Sequence, residues 1–249
     1  MLSKSQISLL KSLHHKKFRG EHALFLVEGY KSVIEFINSP YQIDAIYHTP
    51  AIDPKLLKLS RKMNFVEISL NDLEKISTLK SPQDIIALVK IPEWPVLTGT
   101  VLQQKFSIVL DGIQDPGNMG TIIRTADWFG IKHIICSTDT VDVYNPKVVQ
   151  ATMGSIAHVN VYYTDLEVFL STIKLPVFGA LLDGDNIYQT NFGSEGLLVM
   201  GNEGNGLRPK IIKQVKHKIT IPRGGNAESL NVGIATAVFC SEIKRNSYK

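Results

Sequence analysis

The chain has 249 residues, 44% of them hydrophobic and 20% charged, with a formal net charge of +4. This composition excludes a disordered chain or a staple-dependent miniature, and it supplies apolar material for one large folded domain or two modest ones. Only two cysteines occur, Cys136 and Cys240, far apart and outside any Cys-x-x-Cys pair, so neither a disulfide framework nor a metal site is expected.

The N-terminal "MLSKSQISLLKSLHHKK" lacks the apolar centre of a signal peptide, and no run of roughly 18 apolar residues follows. A cytoplasmic protein without a membrane partner is therefore expected. Charge is unevenly spread. Lys4, Lys11, Lys16, Lys17 and Arg19 precede the first acid, Glu21, and Arg208, Lys210, Lys213, Lys216, Lys218 and Arg223 fill an acid-free stretch between Glu203 and Glu228. Two basic segments on a nearly balanced chain point to a polyanion such as nucleic acid; solvated helix faces are the plainer alternative.

In chain order, "ALFLVEG" predicts a strand ending at Gly29, and "YKSVIEFINS" a helix with a stripe at Val33, Ile34, Phe36 and Ile37. "IDAIYHT", "NFVEISL" and "DIIALVK" predict further strands. "IPEWPVLTGTVLQQ" carries two prolines and a glycine and marks a boundary, giving a small domain over 1–92, a linker over 93–104 and a second domain over 105–249. Beyond it, apolar runs at "FSIVLDG", "HIICST", "HVNVYYT", "LPVFGALLDG", "GLLVMG" and "HKITIP" alternate with helical patterns near 119–130, 145–152, 165–173 and 207–214, and the apolar "SLNVGIATAVFCSEIKR" closes the chain. Alternation of this kind predicts an α/β fold with a parallel sheet covered on both faces, whose ligands sit in the loops beyond the strands' carboxyl ends.

Three loops fall at such ends. In "DPGNMGTIIRTADWFG", Asp115, Pro116 and Gly117 make a tight turn and Asn118 reads as the helix N-cap. Met119, Ile122, Ile123, Ala126 and Phe129 form one apolar stripe, roughly 120° wide at about 100° per residue. Arg124 lies outside it, on the side of Trp128; an exposed pair with Asp127 is its ordinary role. "LLVMGNEGNGL" places Gly201, Gly204 and Gly206 where backbone can approach a ligand closely. No Gly-Lys-Ser/Thr follows and the spacing is not Gly-x-Gly-x-x-Gly, which excludes a phosphate-binding P-loop and a dinucleotide fingerprint; Glu203 suits a cationic group or a hydroxyl. "IPRGGNAESLNVGIA" ends in Ser229, Leu230 and Asn231 at the mouth of the last helix, with Ser229 a candidate N-cap.

Together these stretches resemble the three motifs of the SpoU/TrmH family of RNA ribose 2′-O-methyltransferases, a branch of the knotted SPOUT superfamily. Asp115-Pro-Gly-Asn118 with Arg124 resembles the first motif, Gly201-Asn-Glu203-Gly-x-Gly206 the second, and Ile221-Pro222 through Ser229-Leu-Asn231-Val the third, in matching order and spacing. "FLVEGYKSV" and "SPQDIIALV" resemble the small substrate-binding domain that often precedes the catalytic one. The chain departs from the family at Arg223, often Met; at Gly233, often Ser; and at Asp84, often Gly.

The resemblance implies a deep trefoil knot in the C-terminal domain and a homodimer formed through that domain, with the C-terminal helix near the interface. It implies S-adenosylmethionine as cofactor, held by Gly201, Asn202, Gly206, Ile221 and Leu230. Arg124, Asn118, Glu203, Ser229 and Asn231 become the catalytic group, and Lys16, Lys17, Arg19 and Arg208 candidates for RNA phosphates. The family's motif-one arginine is proposed as a base. A guanidinium is protonated below about pH 12, so two roles stand: deprotonation in a desolvated site beside the sulfonium, or a charged group facing a developing alkoxide. The two-domain layout resembles ribosomal-RNA enzymes more than transfer-RNA ones. A non-catalytic RNA-binding protein on the same fold is the alternative; it would be expected to lack Arg124, Ser229 or Asn231, and all three are present.

Overall fold

The computed structural model describes residues 2–59 and 63–245. Two compact units form: residues 1–93 with 142–157, and residues 94–141 with 158–249.

The first unit is built on a four-stranded sheet. Strand β1 is Leu24–Glu28, β2 Ile43–His48, β3 Phe65–Glu67 and β4 Ile85–Lys90, in the order β1-β4-β2-β3. β4 runs antiparallel to both β1 and β2, whereas β2 and β3 are parallel. The helix predicted from "YKSVIEFINS" spans Tyr30–Ile37 and buries Val33 and Phe36. Glu28 is buried at the end of β1, and its carboxylate accepts from Thr78 N at 2.9 Å and from the hydroxyls of Ser77 and Thr78. Gly29 follows with φ +95°, and a Cβ there would stand 2.5 Å from Gln83 Oε1. Asp84, the departure from glycine, accepts from Thr49 Oγ1 at 2.6 Å and so ties β2's exit to β4's entrance.

A cut at 93–104 does not capture one segment of this unit. Residues 142–157, with the helix Pro146–Thr152, pack with the N-terminal strands: the Tyr144 ring lies 4.5 Å from that of Phe25, and Asp142 pairs with Arg19. Nor is 93–104 a bare linker. It contains the helical turn Gly99–Leu102, whose Leu102 is fully buried in the second unit's core.

The second unit is a six-stranded, wholly parallel sheet. Strand β5 is Phe106–Asp111, β6 His133–Ser137, β7 Asn160–Thr164, β8 Val177–Asn186, β9 Gly196–Gly201 and β10 His217–Thr220, ordered β10-β8-β9-β5-β6-β7. Central β5 and β6 are buried at every position, as a sheet covered on both faces requires; edge strand β7 is not. The helices Pro116–Trp128, Leu166–Thr172, Pro209–Ile212 and Val232–Arg245 supply the cover. The expected α/β parallel architecture is observed. One irregularity matters for the site. Between Lys218 and Ile219 the β10–β8 register jumps, so that Gly179 pairs with Lys218 but Asp185 with Ile219, and residues 180–184 leave the ladder.

Candidate functional site

Strand β5 ends at Asp111, and six residues later the first helix of the site is under way. Its N-cap is Asp115, whose carboxylate accepts the Asn118 amide at 2.8 Å, with Pro116 at the first helical position. This corrects the expectation that Asn118 caps the helix. A carboxylate one turn earlier, followed by proline, matches the helix N-terminus better in charge and geometry. The Asn118 side chain is thereby left available for other partners.

Those partners come from the other two motifs. Asn118 Nδ2 donates to Glu203 Oε1 at 3.0 Å, and Asn118 Oδ1 accepts from Asn231 Nδ2 at 2.8 Å. One amide therefore bridges all three loops, and the two contacts fix which end is oxygen. Glu203 also accepts from the backbone of Gln114 and Asp115, at 3.5 and 3.4 Å, and from Asn202 Nδ2 at 3.3 Å. Its carboxylate thus clamps the second loop onto the first.

The last helix corrects a second expectation. Asn231, not Ser229, is its cap: Asn231 Oδ1 accepts from Gly233 and Ile234 amides at 2.9 and 3.2 Å. Ser229 is exposed and has no hydrogen-bond partner among the described residues. Gly233 is needed for proximity, because a Cβ there would lie 2.9 Å from Thr121 Cγ2 on the neighbouring helix.

The glycine loop is a closed ring. Asn202 and Gly206 exchange backbone hydrogen bonds at 3.0 Å, and Asn202 Oδ1 accepts from Gly204 and Asn205 at 3.0 and 3.1 Å. Gly206 has φ +66°, and a Cβ on Gly201 would lie 2.3 Å from the Gly206 carbonyl carbon, so neither position tolerates a side chain without rearrangement. The Asn202 side chain is committed to shaping this ring.

Beside the loop lies a cavity of about 850 Å³. Its walls include Gly201, Asn202, Glu203, Gly206, Ile221, Ser229 and Leu230, together with Leu181, Met200 and Phe239, which sequence inspection did not single out. Leu181 arrives through the register jump in β8, a feature with no signature in the apolar run "LPVFGALLDG". Asn118 and Arg124 do not line this cavity. Arg124 is exposed on the same helix as Trp128, which is 83% exposed, and the pair with Asp127 is not formed; Arg124 has no ion pair or hydrogen bond among the described residues. Arg223 closes its own loop by donating from Nη1 to the Ala227 carbonyl at 3.2 Å.

The four basic candidates divide. Lys16 and Lys17 are exposed. Arg19 is buried: it pairs with Asp142 at 2.5 Å and donates to the Leu13 carbonyl at 2.8 Å. Arg208 is bound to the buried Asp111 through Nε at 2.6 Å and lies 3.6 Å from Asp139. Both are structural partners of carboxylates distant in sequence; burial corrects the reading of Arg19 as a phosphate contact, whereas the Arg208 side chain stays half exposed.

Residues 105–241 match the pattern of the SpoU rRNA Methylase family, and residues 4–87 that of the MRM3-like substrate binding domain. A 23S rRNA (guanosine-2′-O)-methyltransferase of Bacillus subtilis, RlmP, is 30% identical over 94% of each chain. The chain belongs to the SpoU rRNA methylase family. Among solved structures, a putative RNA methyltransferase of the TrmH family from Porphyromonas gingivalis superposes with a TM-score of 0.89 at 39% identity over 99% of both chains. An AdoMet-bound rRNA methyltransferase from Sinorhizobium meliloti gives 0.88 at 28% identity, covering 99% of this chain and 96% of that one.

Proposed function

We infer that this protein methylates a ribose 2′-hydroxyl of structured RNA, with S-adenosylmethionine as methyl donor and ribosomal RNA favoured over transfer RNA. The observation that carries the reading is the Asn231–Asn118–Glu203 chain of hydrogen bonds, which gathers three sequence-distant loops at one place beside the cavity. The relatives' names supply the reaction class.

The residues fit the cofactor. The cavity has the size of a small-molecule site, apolar side chains alternate with backbone of the two glycine-rich loops, and Glu203 and Glu228 bring negative charge to the wall. Gly201, Asn202, Gly206, Ile221 and Leu230 would hold it, Asn202 by shaping the ring. The bound cofactor supplies a methyl group already activated on a cationic sulfonium. The protein must then orient a ribose and manage one proton. Asn118, fixed from both sides, orients the sugar; Ser229 offers a free hydroxyl; Glu203 and Asn231 hold the loops in register. The 2′-oxygen takes the methyl as the sulfonium's C–S bond breaks, its proton passes to solvent water, and Arg124 stabilises the negative charge that develops on the oxygen. A guanidinium keeps its proton below about pH 12, which favours this role over that of a base.

Further features complete the reading. The C-terminal helix packs against the helix after β5, and membership of the SpoU family supports a trefoil knot in the domain over 105–249. Exposed Trp128, Ile234 and Tyr188, at 83%, 56% and 57%, support a homodimer through this face that completes the site with Arg124. Residues 1–92, joined by the segment 142–157, form the RNA substrate-binding domain, in which exposed Lys16 and Lys17 meet phosphate, and the enzyme works in the cytoplasm.

Calorimetry tests the cofactor: binding of S-adenosylmethionine and none of a nicotinamide dinucleotide is expected, and the reverse ends the reading. Mass spectrometry of RNA from a strain lacking the protein should show one 2′-O-methyl lost from ribosomal RNA; a loss confined to transfer RNA would move the substrate. Sedimentation should give a dimer that Trp128→Glu dissociates.

A further inference from the structure

Both ends of the glycine loop are attached to two successive residues at the end of β5, Asp111 and Gly112. At the entrance, Asn202 Nδ2 donates to the Gly112 carbonyl at 2.7 Å. At the exit, the Arg208 backbone N–H donates to Asp111 Oδ2 at 2.8 Å and its Nε to Asp111 Oδ1 at 2.6 Å, with Nη2 meeting the same carboxylate. Asp111 is 1% exposed and lies directly beside Gly201 in the β5–β9 ladder. A buried carboxylate needs donors around it. Here one residue supplies backbone and guanidinium together, a bidentate arrangement that fixes direction as well as distance. Arg208 itself does not line the cavity, although the preceding Leu207 does.

We propose that Asp111 and Arg208 are positioning residues that hold the loop 201–207 in its ligand-ready form. The proposal rests on reading that loop as the cofactor's. Between the two attachments, Glu203, Gly204 and Asn205 are exposed; the Asn202–Gly206 ring and the Glu203 contacts shape the turn, and the Arg208 attachment fixes where its exit meets β5. Releasing the exit frees the backbone that the cofactor must meet, and binding then has to order it again. Release would leave RNA contacts untouched.

The test uses the full chain carrying Arg208→Ala, Arg208→Lys or Asp111→Asn. Hydrogen–deuterium exchange without ligand, cofactor titration calorimetry, steady-state kinetics and RNA binding across a salt series are the readouts. Arg208→Ala is expected to speed exchange over 201–207 and to raise the Kd for S-adenosylmethionine roughly 10- to 100-fold, the range of a charge-assisted hydrogen bond. The loss should fall on the cofactor's KM more than on kcat. Arg208→Lys should recover part of it, since an ammonium keeps the charge without the planar fork. Unchanged exchange and Kd would overturn the proposal. So would intact cofactor binding with weaker RNA binding and a salt slope reduced by about one, the signature of a phosphate contact. Should Arg208→Ala fail to melt cooperatively, Asp111→Asn and Arg208→Lys decide the same comparison. A wild-type chain that binds no cofactor would overturn the functional reading, while the exchange measurement, made without ligand, still decides the pair.

Discussion

The three glycine-rich loops and the two basic segments both look like clusters in the sequence, and folding treats them oppositely. The first loop lies 85 and 113 positions from its partners in the other two, yet the three draw together until Asn118 touches both Glu203 and Asn231. The basic segments disperse. Arg19 goes inside to Asp142, Arg208 to Asp111, Lys210 to Glu167 at 3.0 Å and Lys218 to Asp183 at 3.2 Å. Of the second segment, Lys213, Lys216 and Arg223 keep no acid partner among the described residues. A motif of glycines, caps and amides encodes backbone geometry and so survives folding as a place. A run of like charge encodes only local composition, because the neutralising carboxylates arrive from elsewhere in the chain.

The sharpest way to break this contrast is at Arg124, the one cation that the motif reading places in the chemistry. Arg124→Ala should lower methylation on the order of 10²- to 10³-fold, the cost of removing a donor aimed at a developing oxyanion, with cofactor affinity little changed. Near-normal turnover would remove Arg124 from the reaction. The next largest effect should be at Arg19, and in stability. Its side chain is 3% exposed and Asp142's 16%, so Arg19→Ala leaves a mostly buried carboxylate unpaired. A loss of about 3 kcal/mol in chemical denaturation is expected. A variant that unfolds like the parent but binds RNA more weakly would restore the phosphate-contact reading.

Smaller, but more diagnostic of the site, is the coupling between Asn118 and Asn231. Each single alanine variant breaks the same contact, so the double variant should be less impaired than the two losses added, by about 1 kcal/mol in kcat/KM. Strict additivity would mean that the 2.8 Å contact carries no function.

How much was legible follows the same division. The parallel sheet could be read because β5 and β6 are largely apolar and buried throughout, and the site loops because three of them follow strands in the order and spacing of the family's motifs. The caps were misassigned by three residues at Asp115 and by two at Asn231, where two polar residues compete for one helix start and only the backbone direction chooses. Nothing local marked Leu181 as a wall residue, since the jump that delivers it lies in how β8 meets β10. Nor could Asp111 be recognised, because its partner Arg208 lies 97 positions away.

The smallest expected effect separates the cations that remained outside. Lys16 and Lys17 are exposed, and Lys17 only grazes Glu21 at 3.8 Å, so their removal should shift stability by less than about 0.5 kcal/mol. If they meet RNA phosphates, each alanine variant should weaken binding evenly across RNA sequences. Each should also lower the slope of log affinity against log salt by a little under one, because a neutralised phosphate releases its counterion. The comparison with Arg19→Ala makes the result informative: one helical segment would then hold an arginine that matters to folding alone and two lysines that matter to RNA alone. Equal salt slopes for parent and lysine variants would assign the whole segment to structure and leave RNA binding to other surfaces.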